Sequence, residues 1–128
     1  MSSIPGDLKY TKSHEWVRRG ADGTLTMGIT DHAQELMGEI VMVELPPQGG
    51  DLRAGDSTGV LEAVKTAEDF FAPVDGKVAE ANAALESDPG LVNRDCYGEG
   101  WLIRIRPADA SQFDALLTPA QYGEIAGE

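Results

Sequence analysis

The stretch TGVLEAVKTAEDFFAPVDG, residues 58–76, decides the fold. Thr58–Val64 is an apolar run typical of a strand, and Phe70–Val74 is a second one. Residues 65–69 form a short polar interruption between them. Two apolar runs separated by so few polar residues favour a β-hairpin. We therefore predict a hairpin whose tip carries the side chain of Lys65.

The same pattern continues on both sides of this hairpin. Turns are expected at residues 20–23 and at Asp75-Gly76, because glycine adopts positive φ at little cost. The 15 glycines and 7 prolines also favour a fold with many turns. Further short strands are predicted over Lys9–Thr11, Glu15–Arg18, Thr24–Ile29, Ile40–Leu45, Lys77–Ala81 and Gly100–Arg106.

Helices are predicted in two places. The first covers Asp31–Met37, with Asp31 as its N-cap and Gln34 completing a capping box. The second lies in the tail, where Asp109 is a candidate cap and Thr118 precedes Pro119 at a first helical position. Residues 82–93 read as irregular.

These elements predict a mainly β fold, either a compact β-sandwich or a flattened barrel, with peripheral helices. A chain of 128 residues suits one domain with one core. We expect residues 1–128 to form that domain, with Asp109–Glu128 as a C-terminal helical extension.

Composition and charge exclude several classes of function. The chain has 10 basic and 22 acidic residues, a formal charge of −12, so neither nucleic acid nor an anionic membrane is an expected partner. Apolar runs such as Ile40–Val43 are too short to span a membrane, and no signal-peptide pattern is expected at the N-terminus. Two histidines and the lone Cys96 are too few for a zinc site unless carboxylates contribute, so no metal is predicted.

Lys65 is the candidate functional residue because it lies at the predicted hairpin tip in a chain with few cations. Schiff-base lysines are normally desolvated, whereas a hairpin tip is exposed, so we expect Lys65 to be modified by another enzyme rather than to catalyse. A phosphate-binding loop is excluded, because Val64 stands where such a loop needs glycine. His14-Glu15 and Asp31-His32 are interpreted as polar residues at the ends of elements.

Several separate blocks of sequence resemble one known family. In order along the chain they are 8-LKYT-11, 13-SHEWV-17, 28-GITDHAQ-34, 43-VELP-46, 59-GVLEAVKTA-67, 72-APVDG-76, 91-LVN-93 and 97-YGEGWL-102. Together they are similar to the H protein of the glycine cleavage system, and the likeness covers nearly the whole chain. A lone Glu-x-Val-Lys motif would be a weak signal, but eight blocks in the right order are a strong one.

The resemblance implies a fold, a cofactor and a set of site residues. The fold would be a flattened barrel or sandwich of two antiparallel sheets, of the lipoyl/biotinyl hybrid-motif type. Lys65 would carry lipoic acid in amide linkage. The residues expected to direct recognition around this hairpin are Glu62, Val64 and Thr66. Candidates for a surface cleft that holds the loaded arm are Ser13, Glu15 and Asp69.

The resemblance also implies partners and a compartment. The chain would be a non-catalytic carrier that takes an aminomethyl group from the pyridoxal-phosphate-dependent glycine decarboxylase to the tetrahydrofolate-dependent aminomethyltransferase. Electrons would go to the FAD-dependent dihydrolipoamide dehydrogenase. A lipoate ligase or an octanoyl or lipoyl transferase would modify Lys65. The expected compartment is a bacterial cytoplasm, or a mitochondrion only if a transit peptide was removed.

Three positions depart from the family's pattern, and other readings remain open. Ala63 stands where the family often has serine, Glu68 where a small residue is usual, and Cys96 where proline is usual. Within the carrier class the alternatives are a biotinyl domain, a lipoyl domain of a 2-oxo acid dehydrogenase, or an H-like protein that relays lipoate to other enzymes. Outside that class they are an acidic interaction domain with unmodified Lys65 and a small hydrolase that uses paired carboxylates.

Overall fold

A computed structural model describes residues 3–127 as nine strands and five short helices. The strands are β1 (Lys9–Tyr10), β2 (Glu15–Arg19), β3 (Leu25–Ile29), β4 (Ile40–Glu44), β5 (Asp51–Leu52), β6 (Ser57–Ala63), β7 (Ala67–Phe71), β8 (Gly76–Ala81) and β9 (Ile103–Pro107). The helices are α1 (Asp31–Met37), α2 (Ala84–Ser87), α3 (Leu91–Arg94), α4 (Ser111–Asp114) and α5 (Pro119–Ala126). None of the helices in this range is long and apolar enough to cross a bilayer.

The strands form two antiparallel sheets. The large sheet has the order β1-β2-β3-β9-β8-β5, and the small sheet has the order β4-β6-β7. Every strand pair is antiparallel. The predicted mainly β architecture of two antiparallel sheets with a short internal helix and a C-terminal helix is therefore confirmed.

The core is formed by the faces that the two sheets turn toward each other. Leu61 and Phe70 of the small sheet share one hydrophobic cluster with Met27, Ile103 and Ile105 of the large sheet, and all five are almost fully buried. Alternation along each strand directs these side chains inward and their neighbours outward. A second cluster is built around Leu8, Tyr10, Trp16 and Tyr122, and it ties α5 to the strands at the N-terminus.

Gly28 in β3 is required by the close approach of Trp16, its partner in β2. The indole is fully buried and donates its Nε1–H to the carbonyl oxygen of Cys96, at 2.8 Å. A Cβ at position 28 would lie 2.8 Å from the indole nitrogen. The ring therefore occupies the space that a side chain at this position would need.

Gly28→Ala is expected to lower the free energy of unfolding by about 1–3 kcal/mol, the usual cost of overpacking a tight core. Urea denaturation measures this change. Gly6→Ala is the matched control, because a Cβ at position 6 meets nothing within 4 Å. Equal effects of the two substitutions would contradict the packing argument.

The predicted hairpin is present, but its second strand begins earlier than the sequence indicates. The polar interruption predicts a strand that resumes at Phe70, whereas β7 begins at Ala67. Ala67, Glu68 and Asp69 are exposed on an edge strand, and their backbone still pairs with β6. Their side chains face water and carry no apolar signal, so a pattern-based prediction misses them.

The sequence predicts Asp31 as the N-cap of α1, which is one residue too late. Thr30 is the N-cap, and its hydroxyl accepts a hydrogen bond from the backbone N–H of Ala33 at 3.2 Å. Asp31 is the first helical residue and accepts from Nε2 of Gln34 at 2.8 Å. The capping-box pattern points to Asp31 because Ala33, three residues after Thr30, has no side-chain acceptor to complete a box.

The cap at Thr118 is confirmed. Its hydroxyl accepts from the backbone N–H of Gln121, and the Gln121 side chain accepts in return from the N–H of Thr118. At the other candidate cap, the Asp109 side chain accepts from the N–H of Ser111, the first residue of α4. The N-cap position itself is Ala110, whose side chain makes no capping hydrogen bond. The last residue of the predicted extension, Glu128, lies outside the described residues.

The sequence predicts an irregular segment over residues 82–93, and this prediction is wrong. The segment contains α2 and most of α3. Each of these helices has four residues, which is too short for a helical period to be visible in the sequence. The last strand also differs, since β9 begins at Ile103 rather than at Gly100.

Candidate functional site

Lys65 lies at the tip of the β6–β7 hairpin. The N–H of Ala63 donates to the carbonyl oxygen of Thr66 at 2.8 Å, which closes the turn around Val64 and Lys65. The N–H of Val64 donates to the carbonyl oxygen of Glu39 at 3.2 Å, which fixes the tip to the start of β4. The structure thus presents an exposed Lys65 side chain from a turn that is held on two sides.

The three residues predicted to direct recognition surround this tip. Glu62 is the last residue of β6 that pairs with β7, and it lies opposite Ala67. Val64 is 69 % exposed, although it is apolar. Thr66 is partly buried, and its hydroxyl lies 3.5 Å from a carboxylate oxygen of Glu68. All three positions are therefore within three residues of Lys65 along the hairpin.

A cleft of about 320 Å³ lies between β7 and α1. It is lined mainly by apolar side chains of β3, α1, β6 and β7, with polar groups from the β1–β2 connection. The lining residues are Ser13, His14, Glu15, Ile29, Ala33, Leu36, Met37, Leu61, Glu68, Asp69, Phe70 and Phe71. The structure therefore brings the three predicted cleft residues, Ser13, Glu15 and Asp69, into one depression.

Glu15 is the buried acid of this cleft, at 1 % exposure. Its carboxylate accepts hydrogen bonds from the hydroxyls of Thr11 and Ser13, and from the backbone N–H of Phe71 at 3.2 Å. Burial raises the pKa of Glu15 above its ordinary value, and the three hydrogen bonds partly oppose that rise. Asp69 is exposed at the mouth and accepts from the hydroxyl of Ser57 at 2.9 Å.

The raised pKa of Glu15 predicts how the free energy of unfolding depends on pH. Because the folded state binds this proton more tightly than the unfolded chain, stability is expected to fall as pH rises above about 4.5 and through the raised pKa. Glu15→Gln carries no such proton, so its advantage over the parent is expected to grow over that interval. Urea unfolding of both proteins from about pH 4 to about pH 8 measures the difference. A difference that does not vary with pH would contradict the burial argument.

His14 also lines the cleft, although the sequence predicts only a polar residue at the end of an element. It has a positive φ of 70°, and its carbonyl oxygen accepts from the N–H of Thr30 at 3.0 Å. Its Nδ1 lies 2.7 Å from the hydroxyl of Tyr122, and its ring centre is 5.0 Å from that of His32. Burial and the nearby His32 lower the pKa of His14. The two histidine rings thus lie together in space, although they are 18 residues apart in the sequence.

Tyr122 connects the C-terminal helix to the wall of the cleft. Its fully buried hydroxyl bonds to Nδ1 of His14 and, at 2.6 Å, to the hydroxyl of Thr30, the N-cap of α1. Its ring stacks on Tyr10 with centroids 4.7 Å apart. α5 therefore holds the first turn of α1 in place.

Tyr122→Phe is expected to keep the stacking on Tyr10 and to remove both hydroxyl contacts. Leaving buried partners unsatisfied costs about 1–3 kcal/mol in the free energy of unfolding. Hydrogen exchange gives the local readout: the amides of Ala33 and Gln34 are expected to exchange faster, while the β2–β3 ladder keeps its protection. Unchanged exchange in α1 would show that Tyr122 does not support the cleft wall.

Three other candidate sites are the Cys96 thiol, a metal-binding group and a larger depression on the large sheet. Burial raises the pKa of Cys96 to about 12, so its thiol is a poor nucleophile. No group of three or more histidine, cysteine or acidic side chains within residues 3–127 could hold a metal ion. A larger depression of about 620 Å³ lies along β5, β8 and β9, and its mixed charges, including the paired Lys77 and Asp51, describe a solvated groove.

Comparisons with known proteins agree with this geometry. The sequence model of the family "Glycine cleavage H-protein" matches residues 8–128. Glycine cleavage system H proteins of Shewanella oneidensis and Shewanella frigidimarina are 52% and 51% identical to the chain, over all of it and 99% of their own length. The crystal structure of a glycine cleavage system H protein from Mycobacterium marinum superposes with a TM-score of 0.88 at 40% identity. That match covers 98% of this chain and 100% of the other. The chain therefore belongs to the glycine cleavage H-protein family.

Proposed function

We propose that Lys65 carries lipoate in amide linkage and that the chain is the lipoyl-bearing carrier of the glycine cleavage system. Family membership supports the carrier role. The single observation that supports the attachment site is an exposed lysine at the tip of a fixed hairpin, beside a mainly apolar cleft with a buried acid. In this proposal the whole chain acts as one carrier domain and contributes no catalytic residue.

The cleft fits the chemistry of a lipoyl arm. Asp69 is four residues beyond Lys65, so their Cα atoms are at most roughly 14 Å apart even if the chain between them were fully extended. An extended lysine side chain that bears an acyl group spans a similar distance, with single bonds of about 1.5 Å. Leu36, Met37 and Phe71 offer accessible apolar surface for the acyl chain above the buried core residues of the cleft floor. Glu15 supplies a carboxylate at the point where the cargo would be enclosed.

When bound through an amide bond to Lys65, lipoate would supply a disulfide able to take up the aminomethyl group. The residues of this chain would hold the amine of the cargo in the cleft and shield it from water. The carboxylate of Glu15, with Asp69 nearby, favours a cationic amine in the cleft. Ile29, Leu61 and Met37 keep water away from that amine, because few polar groups line this part of the cleft. Ser13 and Thr11 orient the Glu15 carboxylate through their hydroxyls.

The partners follow from the proposed role. They are glycine decarboxylase, aminomethyltransferase and dihydrolipoamide dehydrogenase, together with a lipoate ligase or an octanoyl or lipoyl transferase. A tethered arm gives each of these enzymes a high effective concentration of the reacting group once the carrier has docked. The formal charge of −12 favours docking faces rimmed by cations. Bacterial relatives support a bacterial cytoplasm as the compartment.

The test is the intact mass of the chain after incubation with lipoate, ATP and a lipoate ligase. A peptide map across residues 59–77 locates the modification. One lipoyl increment on Lys65 is the expected result. No increment on a chain shown to be folded would overturn the proposal and leave an unmodified acidic interaction domain as the better interpretation.

A further inference from the structure

His14 has an unusual backbone conformation for a residue with a side chain. Within residues 3–127 it is the one non-glycine residue with a positive φ, at 70°. It closes the connection between β1 and β2. The N–H of Thr11 donates to the carbonyl oxygen of Glu15 at 3.0 Å, and the N–H of His14 donates to that of Thr11 at 3.2 Å. Short hairpin connections favour glycine at a left-handed position, so a histidine here indicates a role for its ring.

The ring of His14 contacts two other elements. Its Nδ1 lies 2.7 Å from the hydroxyl oxygen of Tyr122 on α5, and the two rings meet edge to face with centroids 5.6 Å apart. The same hydroxyl lies 2.6 Å from that of Thr30, the N-cap of α1. The ring of His32, also on α1, has its centroid 5.0 Å away. The ring therefore connects the turn before Glu15 to both α5 and α1.

This connection joins two walls of the cleft. Ser13 and Glu15, the immediate neighbours of His14 in the chain, line one wall, and three apolar side chains of α1 line another. The hydroxyl of Ser13 donates to the carboxylate of Glu15. If the ring of His14 moved away from Tyr122, the backbone that carries Glu15 would lose its side-chain link to α1. The position of the buried acid therefore depends on this contact.

The hydroxyl groups decide which nitrogen of His14 carries the proton. Thr30 is fully buried, and its hydroxyl accepts from the N–H of Ala33 at 3.2 Å. Among the described residues, the hydroxyl of Tyr122 is the acceptor for the Thr30 hydroxyl proton. Tyr122 then donates its own proton to Nδ1 of His14, which places the ring proton on Nε2. Burial and His32 lower the pKa of His14, so the ring is neutral near neutral pH and can accept this bond.

Building on the proposed function, we propose that His14 is a positioning residue for the carried amine. Its neutral ring accepts from the hydroxyl of Tyr122 and thereby holds Ser13 and Glu15 in place against α1. His14 acts through the carboxylate of Glu15, which favours a cationic amine in the cleft. A loosened wall admits water and lets the amine escape faster. Attachment of lipoate is independent of this link, because the hairpin that presents Lys65 is held by its own backbone contacts.

Ammonia release from the loaded carrier, with aminomethyltransferase left out, tests this role. His14→Gly permits the positive φ but removes the ring, so release is expected to be at least about threefold faster than in the parent. His14→Asn also tolerates the left-handed region, and its Oδ1 is as many bonds from Cα as Nδ1 of histidine. It is therefore expected to keep release within about twofold of the parent rate. Lys12→Gly is the matched control, since it places glycine at an exposed position of the same connection, and its release rate is expected to equal that of the parent.

A double variant identifies the contact through which His14 acts. Because the ring is proposed to act through the hydroxyl of Tyr122, His14→Gly combined with Tyr122→Phe is expected to release ammonia no faster than the faster single variant. If the two effects multiplied instead, the ring would act without Tyr122, and the proposal would be overturned.

The nitrogen chemical shifts of labelled histidine in the full, unmodified chain give a readout that does not depend on activity. His14 is expected to carry its proton on Nε2, with Nδ1 as a hydrogen-bonded acceptor. Tyr122→Phe is expected to move the Nδ1 resonance toward that of an unbonded ring nitrogen. A parent chain in which the proton of His14 lies on Nδ1 would contradict the proposed direction of the hydrogen bonds and overturn the inference.

Failure of this inference can be told apart from failure of the carrier proposal. A His14→Gly chain that gains lipoyl mass and releases ammonia at the parent rate overturns the positioning role and leaves the carrier proposal intact. Equal acceleration by His14→Gly and His14→Asn also overturns it, because the acceptor atom would then make no difference. A parent chain that gains no lipoyl mass overturns the carrier proposal and this inference with it.

Discussion

A chain in which Lys65 is replaced by arginine is expected to fold normally, to take up no lipoate and to support no glycine-dependent release of CO₂. Arginine keeps the positive charge at the exposed tip, so neither the hairpin nor the surface field should change. A guanidinium does not serve as the acceptor amine for the acyl group. Intact mass after incubation with lipoate, ATP and ligase measures the first effect. CO₂ release in the presence of the partner enzymes measures the second.

Lys77→Arg is the control for this substitution. Lys77 is an exposed lysine on β8 of the large sheet, and it pairs with Asp51 at 2.7 Å. Its replacement is expected to leave both the mass gain and CO₂ release unchanged. Glycine-dependent CO₂ release by the Lys65→Arg protein would show that the arm is attached elsewhere or is not used.

Glu15→Gln is expected to shorten the lifetime of the cargo in water without affecting lipoylation. An alkylamine is a cation near neutral pH, and Glu15 offers it a charged acceptor inside the cleft. A hydrogen bond to a charged group contributes about 1.5–3 kcal/mol, so its loss corresponds to roughly a tenfold or greater increase in the rate of escape. Release of ammonia from the loaded carrier, with aminomethyltransferase left out, measures that rate.

Two comparisons separate this effect from unfolding. Glu80→Gln removes an exposed carboxylate of the large sheet, paired with Arg104 at 2.7 Å, and is expected to leave the rate of ammonia release unchanged. Because burial raises the pKa of Glu15, Glu15→Gln is expected to be no less stable than the parent at neutral pH. Ammonia release at the parent rate would show that Glu15 does not hold the cargo.

The sequence predicted the strands whose two faces differ most strongly. The alternation in Thr24–Ile29 and the apolar run Thr58–Val64 correspond to β3 and β6 within one or two residues. It failed where an element is exposed or very short. The first half of β7 carries polar side chains into water, and α2 and α3 are single turns. Backbone hydrogen bonds define these elements, and side-chain patterns record them poorly.

The candidate site likewise contains residues that the sequence could indicate and residues that it could not. Lys65 could be singled out because a lysine between two strand-like runs stands out in a chain with few cations. Ser13, Glu15 and Asp69 came only from the family resemblance, and the structure places all three around one cleft. His14 was interpreted only as a polar residue at the end of an element, since Tyr122, which contacts its ring, is 108 residues away in the chain. Contacts at such separations leave no local signal in a sequence.

The sequence by itself therefore determined the mainly β class, the hairpin around Lys65 and the family, because these depend on local periodicity, turn residues and short motifs. Only the tertiary structure decided that Glu15 is buried with a raised pKa, that α5 supports α1 through Tyr122, and that Met42 lies beside Glu62 on an exposed face. The physical reason is that burial, electrostatic environment and the pairing of side chains depend on which distant segments meet in space. Periodicity and composition describe only neighbours along the chain.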